Sequence, residues 1–260
     1  MRKLLVATFA LTLAMSAGAT TLTEKIDRTL DVKPGATVAL TNVNGRITIG
    51  SWDQPRVRVI AVKEVEGSRD DVGDFMKELK VTIEQRNGGV VITTHHPRRG
   101  DGGSIFDWLL GNHMQAQVRY ELTVPRAINV DVSNTNGSIH LSDVAGRLEV
   151  GTTNGKIEIA RCSGSIDAST TNGGISAELV RVAKGTPLRF ETTNGRIDVS
   201  VPHDFAGDVE AGTTNGSIST DLPVATTHFK RNSLRGTING GGTPLRLHTT
   251  NGGISIRKAG

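Results

Sequence analysis

The stretch Gly151-Thr-Thr-Asn-Gly-Lys-Ile-Glu-Ile159 returns in altered forms along the chain. Residues 169–177 read STTNGGISA, 191–199 ETTNGRIDV, 212–220 GTTNGSIST, and 248–256 HTTNGGISI. A catalytic motif is needed once, whereas a motif repeated at near-regular spacing belongs to an architecture. Aligned on the glycine of Gly-x-Ile, the copies fall at Gly45, Gly137, Gly155, Gly173, Gly195, Gly216, Gly236 and Gly252. From Gly137 the steps are 18, 18, 22, 21, 20 and 16 residues.

Strand periodicity assigns the faces of each unit. Counting back by twos from Asn154 gives Thr152, Val150 and Leu148, and from Asn194 it gives Thr192, Phe190 and Leu188. The other face carries Glu149, Asp167, Arg189, Glu191, Asp208 and Arg246. A unit with two short strands cannot bury its own apolar face, but stacked units can. The expected fold is therefore all-β: a β-solenoid, or β-helix, of stacked rungs of about 18–22 residues each. Asn and Gly both accept positive φ and so turn the corner between strands. On this count Asn136, Asn154, Asn172, Asn194, Asn215 and Asn251 point inward and form a structural corner ladder along the axis. Arg235 stands before Gly236 where the other corners have Asn, which predicts an irregular corner or an opening toward a loop at 226–232.

Outward from the repeats, residues 20–125 read as a less regular β-rich capping region, and 126–260 as the solenoid. No linker separates them, so one continuous domain is expected. Ser68 opens a capping-box pattern, and Val72, Phe75, Met76 and Leu79 recur at helical spacing. These predict one short amphipathic helix near 69–79, covering one end of the stack. Asn87-Gly88-Gly89 predicts a hairpin. Residues 1–19 read as a signal peptide: Arg2 and Lys3, an apolar run over 4–13, and a small-x-small site at Ala17-Gly18-Ala19. The run is too short to span a bilayer, which leaves no transmembrane segment in the mature chain and places it in the periplasm or outside the cell. Loss of Arg2 and Lys3 takes the formal charge from +4 to +2, which argues against a nucleic-acid partner. Cys162 is the only cysteine. It reads as a small structural residue, with intermolecular pairing as the alternative.

The segment YELTVPRAINVDVSNTNGSIHLSDVAGRLEVGTTNGKIEI, residues 120–159, resembles the bacterial putative-adhesin family of extracytoplasmic β-solenoid domains. The LTVP strand and the Gly-x-Ile rungs closed by Thr-Thr-Asn-Gly carry the resemblance, which extends over about residues 30–258. It implies a β-helical fold, an envelope location and no established catalysis.

No catalytic residue, metal ligand or cofactor site is assigned. Ice binding would need two outward threonines per rung, and only one column faces out: Thr153, Thr171, Thr193, Thr214 and Thr250. A polysaccharide lyase or hydrolase is the enzymatic alternative, and it needs paired carboxylates. Glu158 and Asp198 fall two rungs apart, or ~10 Å at strand spacing, which is loose for a pair. Arg99-Gly100-Asp101, and the set His95, His96, His113, Asp101 and Asp107, read as solvated loop rather than as an adhesion tripeptide or a metal site. Phe106, Trp108 and Leu109 concentrate apolar side chains in an otherwise polar stretch and form a candidate interaction loop, with burial on the cap as the expectation. The chain thus reads as an exported, non-enzymatic scaffold or adhesin-like surface whose partner is a cell-envelope protein or polysaccharide.

Overall fold

The structure is a computed structural model that describes residues 10–16, 19–97 and 115–259. Its repeats run from β9 (Asn129–Asn136) through β10 (Ile139–Ser142), β11 (Leu148–Asn154), β12 (Ile157–Ser163), β13 (Ile166–Asn172), β14 (Ile175–Arg181), β15 (Leu188–Asn194) and β16 (Ile197–Val201). Each rung gives one strand to each of two sheets, with the Asn-Gly corner between them. Equivalent residues pair in parallel register: Leu148 with Ile166, and Ile166 with Leu188. The alternate apolar residues meet between the sheets, where Leu148, Ile157, Ile166, Phe190 and Ile197 are at most 2% exposed. The protein is nearly all-β, and its described residues form two 11-stranded sheets.

Rung order departs from chain order at both ends. After β16 the chain forms β17 (Gly207–Asn215) and β18 (Ile218–Thr220), then a hairpin of β19 (Val224–Lys230) and β20 (Ser233–Ile238). It finishes with β21 (Pro244–Asn251) and β22 (Ile254–Lys258). The last rung, β21–β22, inserts between β15–β16 and β17–β18, so the corners stack as 195, 252, 216. Gly236 is not a rung corner, contrary to the alignment: β20 runs antiparallel to both β17 and β19. Its Gly-x-Ile lacks the preceding Thr-Thr-Asn, and without that corner the strand simply continues as a hairpin.

The amino-terminal end mirrors this insertion. The rung formed by β3 (Thr37–Thr41) and β4 (Ile47–Trp52) lies between β9–β10 and a layer made by β7 (Gly89–His95) and β8 (Gln115–Pro125). Beyond that layer pairing turns antiparallel. β6 (Lys80–Arg86) closes one sheet, while β5 (Arg56–Gly67) and β2 (Ala19–Asp31) extend the other. These antiparallel end strands interrupt the parallel stack of rungs. The hairpin turn at Asn87-Gly88 has positive φ at both residues, 53° and 81°, as a tight two-residue hairpin requires. Ala10–Ser16, within the segment read as a leader, forms β1 along β2. Cleavage after Ala19 is a proposal that would make β2 the edge.

The single helix among the described residues, α1 (Arg69–Glu78), lies on β5 and β2. It buries Val72, Phe75 and Met76, with Leu79 just beyond its end. Ser68 precedes it without capping a backbone N–H; its hydroxyl instead donates to Asp71 Oδ2 at 2.7 Å. Beneath the helix, Lys63 reaches Met76 O at 3.2 Å and Glu24 at 2.5 Å, so its largely buried ammonium is neutralised.

Candidate binding surface

Every corner is built from two columns of polar side chains, one inside and one outside. The inner column is the first threonine of Thr-Thr-Asn-Gly. Thr152, Thr170 and Thr192 are buried and donate to the carbonyl oxygens of Gly137, Gly155 and Gly173 in the preceding rung, at 3.3, 3.1 and 2.8 Å. Thr249 does the same to Gly195 O at 3.0 Å, and Thr213 to Gly252 O at 2.8 Å. At the first rungs Asn134 takes this place and donates to Gly45 O at 3.0 Å. These bonds satisfy carbonyl oxygens that the turn would otherwise leave facing the core unpaired. The corner glycine is needed for a separate reason. A Cβ on Gly195 would lie 1.9 Å from Gly173 O, so the rungs can approach only without one.

The outer column is the asparagine ladder. Asn154 Nδ2 donates to Asn136 Oδ1 at 2.7 Å, Asn172 to Asn154 at 2.8 Å, and Asn194 to Asn172 at 2.8 Å. Asn251 donates to Asn194 and Asn215 to Asn251, both at 2.8 Å, in the spatial rather than the chain order. At the other end Asn136 donates to Asn44 Oδ1 at 2.7 Å. All these bonds point the same way, so each amide polarises the next. The side chains do not point inward as the alternation count predicts: Asn154, Asn172, Asn194, Asn215 and Asn251 are exposed. The chain bends at Asn-Gly, so the alternation of the strand ends at the first threonine and the amide swings to the outside of the corner.

Beside this ladder, Thr153, Thr171, Thr193 and Thr214 are also exposed. The result is a track of hydroxyl and amide groups repeating at about 4.8 Å, the spacing between strands. Its amino-terminal end runs into a cleft of about 880 Å³ bordered by Asn44, Arg46, Glu64, Arg119, Asn136 and Ser138. There Arg119 pairs with Glu64 at 2.8 Å, and Arg46 donates to Ser138 Oγ at 3.2 Å. Behind the first rung, Thr94 bridges Asn42 Oδ1 at 2.8 Å and the Tyr120 hydroxyl at 2.7 Å. Burial pushes the Tyr120 pKa up to about 12.

The charged rows outside both sheets are engaged with one another. Glu158 meets Lys156 at 2.5 Å and His140 at 3.5 Å. The hydrogen bond from Lys156 holds the Glu158 carboxyl below its ordinary range. Asp198 lies between Arg196 at 3.5 Å and Arg257 at 3.7 Å. Ser176 pairs with both Glu158 and Asp198, so the two carboxylates stand two strands apart. Cys162 is fully buried, and desolvation raises its thiol to about 11. His95 lies 3.3 Å from the Thr82 hydroxyl, and burial lowers the pKa of His96. Among the described residues no group of three His, Cys, Asp or Glu is placed to hold a metal. Residues 98–114, with Arg99-Gly100-Asp101, Phe106, Trp108, Leu109 and His113, lie outside the described residues.

Residues 80–257, more than half of the chain, match the family described as Toastrack DUF4097. The chain belongs to this family. The Toastrack match covers every Thr-Thr-Asn-Gly corner and both columns built on them. Similar solved structures include a putative cell adhesion protein from Clostridium sporogenes ATCC 15579, at 10% identity and a TM-score of 0.48. That alignment covers 90% of this chain and 99% of that one. Another is a putative adhesin from Bacteroides fragilis NCTC 9343, at 9% identity and a TM-score of 0.32, covering 90% of this chain and 97% of that one. A comparison with curated proteins finds no match. Among the described residues no helix is long and apolar enough to cross a membrane.

Proposed function

We propose that this Toastrack chain is an exported, non-enzymatic scaffold of the cell envelope that lies along an extended polysaccharide through its threonine–asparagine track. The observation that carries the reading is the exposed amide ladder. Each amide spends one N–H and one lone pair on its neighbours and keeps the rest for solvent or a ligand. A hydroxyl-rich polymer offers donors and acceptors at repeated intervals and can match such a row over many rungs, where each contact is weak and their sum is selective. The enzymatic alternative, a polysaccharide lyase or hydrolase, would call for a carboxyl whose pKa is raised toward neutrality to act as general acid. The pKa of Glu158 is instead lowered by Lys156.

The test is co-sedimentation of the chain beginning at Thr20 with insoluble envelope polysaccharides, beside a Thr171→Glu/Thr193→Glu variant. Both positions are exposed, and circular dichroism of the variant checks that the fold is kept. Binding by the unchanged protein and its loss in the variant are expected. Equal binding by both, or none by either, sinks the proposal. Cell fractionation tests export separately.

A further inference from the structure

We propose that Asn215 is the one corner of the track open to spontaneous deamidation, and that the stacked rungs protect the other corners from it. The chain has nine Asn-Gly dipeptides, at Asn44, Asn87, Asn136, Asn154, Asn172, Asn194, Asn215, Asn239 and Asn251. Glycine leaves the following amide nitrogen sterically free to attack, which makes this dipeptide chemically fragile. In the reaction the backbone nitrogen of the glycine loses its proton and attacks the Asn Cγ. A nitrogen–carbon bond forms, the Cγ–Nδ2 bond breaks, and the side-chain nitrogen leaves as ammonia. Water then opens the succinimide at either carbonyl and leaves aspartate or isoaspartate.

The attacking nitrogen must give up its proton, and a firmly held N–H resists this. At six corners it is held. The N–H groups of Gly45, Gly137, Gly155, Gly173, Gly195 and Gly252 each donate to the asparagine carbonyl of the next rung at 2.8–3.0 Å. Gly216 belongs to the outermost rung and has no next rung. The loop that covers this end gives Asn232 O to the Thr213 N–H and Arg231 O to the Ile218 N–H, both at 2.9 Å. Among the described residues no acceptor meets the Gly216 N–H lying between those two. At the turns Asn87-Gly88 and Asn239-Gly240 the glycine N–H likewise meets no acceptor among the described residues, and both asparagines are exposed. These two positions are expected to react as well. Asn239 reacts more slowly than Asn87, because its amide is held on Phe205 O at 2.9 Å while the Asn87 side chain meets no partner among the described residues.

The consequence at position 215 is specific. Its amide donates to Asn251 Oδ1 at 2.8 Å and so terminates the ladder. A carboxylate there has no donor to offer and places its charge against that oxygen. Deamidation therefore cuts the last link of the track while leaving the inner threonine bond from Thr213 intact.

Peptide mapping by mass spectrometry tests this on the whole chain held in mildly alkaline buffer, beside a sample unfolded in denaturant. In the unfolded sample all nine sites should convert at comparable rates, because the dipeptide is the same. In the folded sample conversion is expected at 87, 215 and 239, with 136, 154, 172 and 194 slower than 215 by at least about tenfold, because they react only after local opening. Retention of the amide at 215 while the unfolded sample converts, or conversion at any of those four corners as fast as at 215, overturns the proposal.

Discussion

Thr170 donates its hydroxyl to the carbonyl oxygen of Gly155, 3.1 Å away in the preceding rung. Two residues on, Asn172 bonds to Asn154, but at the surface. The two contacts repeat together along the stack and differ in what surrounds them. The threonine bond satisfies a carbonyl that solvent reaches poorly, while the amide bond competes with water.

This ranks two substitutions. Thr170→Val keeps shape and removes the donor, leaving the Gly155 carbonyl unpaired, and should cost about 1–3 kcal/mol. Asn172→Ala breaks two exposed amide contacts that water can replace, and should cost about 0.5–1 kcal/mol. Denaturant midpoints of the two variants check the order; a larger loss for Asn172→Ala would return the main corner role to the ladder.

Glycine positions should divide sharply. Gly195→Ala drives a Cβ to 1.9 Å from Gly173 O, and a backbone neighbour cannot rotate away. A loss of about 1–3 kcal/mol or more is expected, as for an overpacked core. Gly151→Ala finds its nearest neighbour, Ser169 Oγ, at 3.7 Å. It should change stability by less than about 0.5 kcal/mol. Thermal melting of both proteins decides.

Tyr120 is the only tyrosine, so its ionisation can be followed by tyrosinate absorbance without interference. Folded protein should titrate near 12, and the unfolded chain near pH 10. The folded pKa is the higher one. The stabilisation is therefore fully present below about pH 10 and is lost as the pH rises toward the folded value. A folded-state midpoint near 10 would mean that the phenol is not desolvated.

Cys162 should resist thiol reagents at mildly alkaline pH, where an ordinary thiol near 8.5 is partly ionised. Its pKa of about 11 keeps it protonated, and its burial blocks access. Labelling that appears only in denaturant is the expected result. Rapid labelling of folded protein, or a disulfide-linked dimer, would restore the intermolecular reading.

Glu158→Ala and Asp198→Ala should leave the fold and any polysaccharide in the assay unchanged. Loss of a polysaccharide-degrading activity in either variant, with the fold intact, would replace the scaffold by an enzyme.

The alternation of Leu148, Val150 and Thr152, repeated at every corner, was enough to determine a stacked two-sheet solenoid and to name its core. Pattern and fold agree because stacked repeats can bury an apolar face of period two that a single unit cannot. The inner threonine column was legible too, since the first threonine shares the parity of the apolar residues. Asn154 and its equivalents were misplaced because counting by twos carries strand geometry one turn too far. The order of the rungs was decided only by the tertiary structure. Leu188 can pair with Val209 as well as with Leu245, because every rung presents the same apolar pattern to its neighbour. In the structure Leu188 pairs with Leu245, and the β19–β20 hairpin lies antiparallel on the far side of β17, where another rung would otherwise stack. Pairing of near-identical rungs carries no address of its own, so the connections between them supply it.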